Sequence, residues 1–237
     1  MPNSITMGNL LFGFLSIIFA SQQQYQFAGF AILFAALLDG CDGQVARMLK
    51  VSSPLGAELD SLADCVTFGI APGYLAYAAY LPHMYDVQLN NGAVISLSML
   101  VSAVFPICAA YRLARFNVSH STDSFSGLPS PIAGIAVALI PIAFHDPATI
   151  KACPALFVPA YIVTALLMVS TVRFSKPQSY IFKKIHGIQL VVLALILIGL
   201  AVVLHKIILF IVIGLMALYI VSGIVSFIIQ FIQDHKY

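Results

Sequence analysis

Charge is what this chain has least of. Of its 237 residues only 8% are Asp, Glu, Lys or Arg, and 61% are hydrophobic; soluble domains carry about 25% charged residues. With a mean hydropathy of +1.00, an ordinary water-soluble domain is excluded. A net charge of +2 says little about partners, and no nucleic acid is expected among them. There is also no internal repeat, long linker or low-complexity segment, so residues 1–237 read as one domain. The opening "MPNSITMGNLLFGFLSIIFA" lacks the basic n-region of a secretory signal and is taken as part of the fold. Cys41, Cys65, Cys108 and Cys153 show neither paired nor metal-ligand spacing, which leaves them as small apolar fillers. The six histidines are scattered near the ends of apolar runs, not clustered for a metal.

What is present is a series of apolar runs such as "IQLVVLALILIGLAVVL", each near the ~20 residues a helix needs to cross hydrocarbon. The runs do not alternate, which argues against a barrel. The expected fold is all-α: a polytopic integral membrane bundle of about eight helices. The candidate spans are 5–21, 26–48, 55–80, 92–116, 130–146, 155–173, 187–204 and 207–231. Basic residues then orient it. Arg47, Lys50, Arg112, Arg115, Arg173, Lys176, Lys183, Lys184 and Lys236 fall on one side, against Lys151 and Lys206 on the other. The positive-inside rule makes the richer side cytoplasmic, and the N-terminus with it.

The few acids are not spread out. Five of the nine (Asp39, Asp42, Glu58, Asp60 and Asp64) fall within 26 positions, at the cytoplasmic turn between spans two and three. Charges near hydrocarbon are costly and need a partner. Asp39 and Asp42 are spaced i,i+3, and Asp60 and Asp64 i,i+4, so each pair shares a helix face. Pro54 between them ends one helix and opens the next, turning the two faces together. Four convergent carboxylates with no His or Cys suit a hard cation: Mg²⁺, Mn²⁺ or Ca²⁺. They suffice for two ions sharing ligands, an arrangement that stabilises phosphoryl displacement. Gly40, Gly43, Ala46, Gly56 and Ala57 among them leave a slot where a ligand can approach the backbone.

Asp39, Asp42-Gly43, Ala46-Arg47, eight residues, Gly56, Asp60, Asp64 resembles the signature D-x2-D-G-x2-A-R-x8-G-x3-D-x3-D of the CDP-alcohol phosphotransferase family at every fixed position. "PNSIT" at the start is similar to that family's P-N-x-[IL]-T opening. "YRLARFNVS" followed by "FSGLPSPIAG" resembles its serine-using bacterial and archaeal branch. The resemblance implies a six-span catalytic core (residues 1–186) with a two-helix extension (187–237) beyond the family's usual pattern. It implies transfer of the phosphatidyl group from CDP-diacylglycerol to the hydroxyl of L-serine, giving phosphatidylserine and CMP. Asp39, Asp42, Asp60 and Asp64 would bind two divalent ions, with Asp64 doubling as general base. Gly43, Ala46, Arg47 and Gly56, together with Ser53 and Asn3, would receive the CDP head group. A homodimer in a prokaryotic cell membrane is also implied.

Serine's carboxylate needs a cation, and Arg112 and Arg115 at the cytoplasmic end of span four suit a two-pronged grip. No Ser/His or Cys/His pairing recommends a covalent intermediate, which favours direct displacement. Within the family the alternative acceptors are glycerol 3-phosphate or an inositol phosphate. A cation transporter is the alternative of another class. Its site would sit near the midplane rather than at the membrane edge.

Overall fold

The computed structural model describes residues 2–49, 53–81, 86–88, 94–118, 127–144, 154–172 and 207–234. Helix α1 (Pro2–Ser21) and helix α2 (Tyr25–Leu49) pack along each other. The turn between them uses Gln23 at φ +62°, a left-handed residue of the kind that commonly closes a helix, and the Gln24 N–H returns to the Phe19 carbonyl at 2.8 Å. Ser16 Oγ donates to the Ala28 carbonyl at 2.9 Å and ties the two helices together.

Helix α3 (Pro54–Cys65) starts where the sequence asks it to. Ser53 is its N-cap, accepting the Gly56 N–H at 3.0 Å, and Pro54 occupies the first turn, where a missing N–H costs nothing. It runs without a break through a π-turn (Val66–Ile70) into α4 (Ala71–Ala79). Pro72 cannot donate to the Phe68 carbonyl, and the Ala71 N–H reaches back to Val66 instead, which widens the helix by one residue.

Strands β1 (Asp86–Gln88) and β2 (Val94–Ser96) pair antiparallel, with Val87 opposite Ile95, ahead of α5 (Leu97–Val118). The fold is otherwise all-helical, as expected, and the ladder moves the start of the fourth helix from 92 to 97. Then follow α6 (Ser130–Ala143), α7 (Pro154–Val169) and α8 (Ile207–Asp234). Every helix lies within a few residues of an expected span, apart from the later start of α5. The expected span 187–204, Cys153, all six histidines and every lysine lie outside the described residues.

Phe68, at the centre of the π-turn, is fully buried against α6, where a Cβ on Gly134 would stand 3.1 Å from the Phe68 Cα. Phe105 of α5 stacks on Tyr161 of α7 at 5.3 Å, and the Tyr161 hydroxyl donates to the Ser102 carbonyl at 2.7 Å. Helix α8 lies on α6, with Ile213 and Met216 against Leu139 and Ile142. The outer surface is apolar too: Leu100 and Ile107 on α5, and Leu215, Leu218 and Val221 on α8, are exposed. Asn3–Ser21 and Leu97–Val118 are long and apolar enough to cross a membrane, and the apolar stretches of the other helices are shorter. Cross-contacts bring the starts of α1, α3 and α6 together with the ends of α2, α5 and α7, and the acidic segment lies at that end of the bundle.

Candidate active site

Three of the four aspartates meet. Asp39 comes from α2, and Asp60 and Asp64 come from successive turns of α3. One carboxylate oxygen of each lies within 4.8 Å of the others. A divalent ion about 2.0–2.6 Å from each ligand spans up to about 5 Å between opposite oxygens, so one ion can touch all three. Every donor is a hard oxygen, and no His or Cys joins the group among the described residues. The donor set and its spacing fit Mg²⁺, Mn²⁺ or Ca²⁺. Asp42 lies three residues beyond Asp39 on the same helix; the surroundings of Asp42, Gly43, Ala46 and Arg47 are not among those described. Glu58, the fifth acid of the segment, is exposed and outside the group.

Two polar groups face the carboxylates. Asn9 of α1, fully buried, donates from Nδ2 to Asp64 Oδ1 at 3.3 Å. The Arg112 guanidinium acts electrostatically on Asp64 from α5. Arg112 is buried, its Nη1 donates to Ser130 Oγ at 2.8 Å, and its Nε has no partner among the described residues. Arg115 is used differently: Nη1 donates to the Val169 carbonyl at 3.1 Å and so caps the end of α7. Gly127 and Leu128 add to that cap, donating their N–H groups to the Val172 and Leu167 carbonyls at 2.8 and 2.9 Å. Gly127 stands at φ +91°, where a Cβ would overlap the Met168 carbonyl, so the glycine of "FSGLPSP" is a backbone requirement.

The expected head-group residues also cluster. A Cβ on Gly56 would stand 3.1 Å from Ser53 Oγ and 3.2 Å from Asn3 Oδ1, so the bare backbone at the start of α3 is flanked by both side chains. Gly40, by contrast, has open space around it. Asn117 Nδ2 donates to Ser61 Oγ at 3.0 Å and fastens the end of α5 to α3 one residue past Asp60.

Four of these residues escaped the sequence reading. Ser130 and Asn117 sit inside the quoted motifs, where their neighbours drew the attention. Ser61 lies between two aspartates and reads as an ordinary helix serine. Asn9 gave the faintest signal, a lone amide within an apolar run.

A helical bundle with a carboxylate cluster, a buried arginine and a polar-flanked helix start at one end has the donors to hold a divalent cation. The chain belongs to the CDP-alcohol phosphatidyltransferase family, whose model matches residues 1–172. It is 35% identical over 243 aligned residues to a CDP-diacylglycerol–serine O-phosphatidyltransferase of Helicobacter pylori, covering 98% of this chain and 92% of that one. Proteins of the same name from Bacillus subtilis and Methanocaldococcus jannaschii are 33% and 32% identical over 73% and 78% of this chain.

Proposed function

We propose that this chain is a CDP-diacylglycerol–serine O-phosphatidyltransferase. The observation that carries the proposal is the convergence of Asp39, Asp60 and Asp64 in the family's signature spacing. Relatives bearing that name support serine as the acceptor, one of them across almost the whole chain.

Asp39, Asp42, Asp60 and Asp64 are the residues to hold two divalent ions. When bound, the ions neutralise the diphosphate and the charge developing on the departing CMP. Asn3, Ser53 and Gly56, with Gly43, Ala46 and Arg47, receive the cytidine diphosphate, and the positive end of the α3 dipole favours its charge. Arg112 offers its Nε–H, which has no partner among the described residues, to the serine carboxylate, and Arg115 holds the adjoining α7 end in place. Asp64 takes the proton from the serine hydroxyl as that oxygen attacks the phosphorus bonded to diacylglycerol. The bond from that phosphorus to the CMP oxygen breaks, and CMP leaves. A single displacement inverts the phosphorus.

The exposed apolar side chains of α5 and α8 support a polytopic membrane bundle. The basic residues support a cytoplasmic site and N-terminus. The last two spans form an extension to the core, and a homodimer in a prokaryotic membrane is the expected assembly. The deciding test supplies CDP-diacylglycerol and one labelled alcohol at a time. Labelled phosphatidylserine that requires divalent metal is the expected product. Product from glycerol 3-phosphate but not from serine would overturn the assignment.

A further inference from the structure

We propose that Asn9 is a positioning residue for the transfer reaction, fixing the Asp64 carboxylate through the bond from its amide; this rests on the transferase reading above. Asn9 is fully buried on α1, an otherwise largely apolar helix, and its Nδ2 donates to Asp64 Oδ1 at 3.3 Å. The opposite placement of the amide would set two oxygens against each other, so the donor end must face Asp64. That leaves Asn9 Oδ1 buried with no partner among the described residues. A residue kept only for packing would be leucine, close in size and free of an orphaned acceptor. A half-satisfied amide works against the fold, so its use lies in the half that is bonded.

The backbone around Asn9 is registered as tightly as the side chain. Thr67 Oγ1 donates to the Asn9 carbonyl at 3.1 Å. Thr67 follows Asp64 by three residues, so one stretch of the α3–π-turn helix presents both groups to Asn9. One turn along α1, Gly13 lets the helices close: a Cβ there would stand 2.9 Å from the Thr67 Cα. The amide therefore reaches Asp64 from a fixed distance and limits the rotation of its carboxylate. The second oxygen of Asp64 is then left for the cation site and the reacting hydroxyl.

The test uses the full-length chain in lipid nanodiscs, with Asn9→Leu and, as a variant that loosens only the register, Thr67→Val. For Asn9→Leu the expected result is a loss of about 10²-fold in kcat with both KM values unchanged. Its melting temperature should equal or exceed that of the wild type. Mn²⁺ binding, read by electron paramagnetic resonance without substrates, should weaken about tenfold. Thr67→Val should shift kcat and Mn²⁺ binding the same way by less. Unchanged Mn²⁺ binding in Asn9→Leu overturns the proposal, as does a lower melting temperature with normal kcat per folded molecule. A rise in serine KM alone also overturns it. If Asn9→Leu does not fold, wild-type kcat and Mn²⁺ affinity in Thr67→Val overturn it. A wild-type chain that makes no phosphatidylserine defeats the transferase reading alone, and the Mn²⁺ titration still judges Asn9.

Discussion

Asp64 is met from four sides: by the carboxylates of Asp39 and Asp60, by the Asn9 amide and by the charge of Arg112. Replacing it by Asn removes the proposed proton acceptor while keeping the volume. Phosphatidylserine formation, followed with labelled serine, should fall by ~10²–10⁴-fold, the usual contribution of a positioned base. Arg112→Lys keeps a positive charge but loses the planar fork. The serine KM should rise about tenfold, matching one lost charge-assisted hydrogen bond of ~1.5 kcal/mol, while Mn²⁺ binding stays the same. At this scale the aspartates were legible because their spacing is local: i,i+3 and i,i+4 are read within one helix. Asn9 and Ser130 were not, because each has its meaning from a partner 55 or 18 residues away that only the folded chain supplies.

Helix ends, more than helix middles, build the active end of the bundle. Ser53 caps α3 and also flanks Gly56, and Ser53→Asp separates these two duties. Aspartate caps a helix as well as serine does, so the melting temperature should hold. The added charge should repel the diphosphate and raise the CDP-diacylglycerol KM. Gly127→Ala puts a Cβ at φ +91° against the Met168 carbonyl, and the solubilised protein should melt several degrees lower. The helices themselves could be read from apolar runs bounded by Pro54 and by the basic clusters. The β1–β2 ladder and the π-turn could not. The first is three residues per strand, too short to alter a hydropathy window. The second comes from Pro72 meeting the packing of Phe68 on Gly134, a tertiary circumstance.

Among the described residues the carboxylate cluster lies at one end of the bundle and exposed apolar side chains cover α5 and α8; the proposed reaction makes a divalent ion a condition of activity. Chelation with EDTA should abolish product formation, and Mn²⁺ or Mg²⁺ should restore it without refolding, as checked by unchanged circular dichroism. The helical plan was the most legible part, since the helices follow from the apolar runs. The packing order was not, because apolar helices carry little in their sequence that names their neighbours. One consequence concerns how short such an enzyme can be. Buried N–H groups of Gly127 and Leu128 end on carbonyls at Val172 and Leu167, and Arg115 ends on Val169. A chain cut shortly before residue 167 therefore strands donors beside the catalytic end, although it still contains all four aspartates of the signature. The smallest working unit is set by where those carbonyls lie, far downstream of the signature.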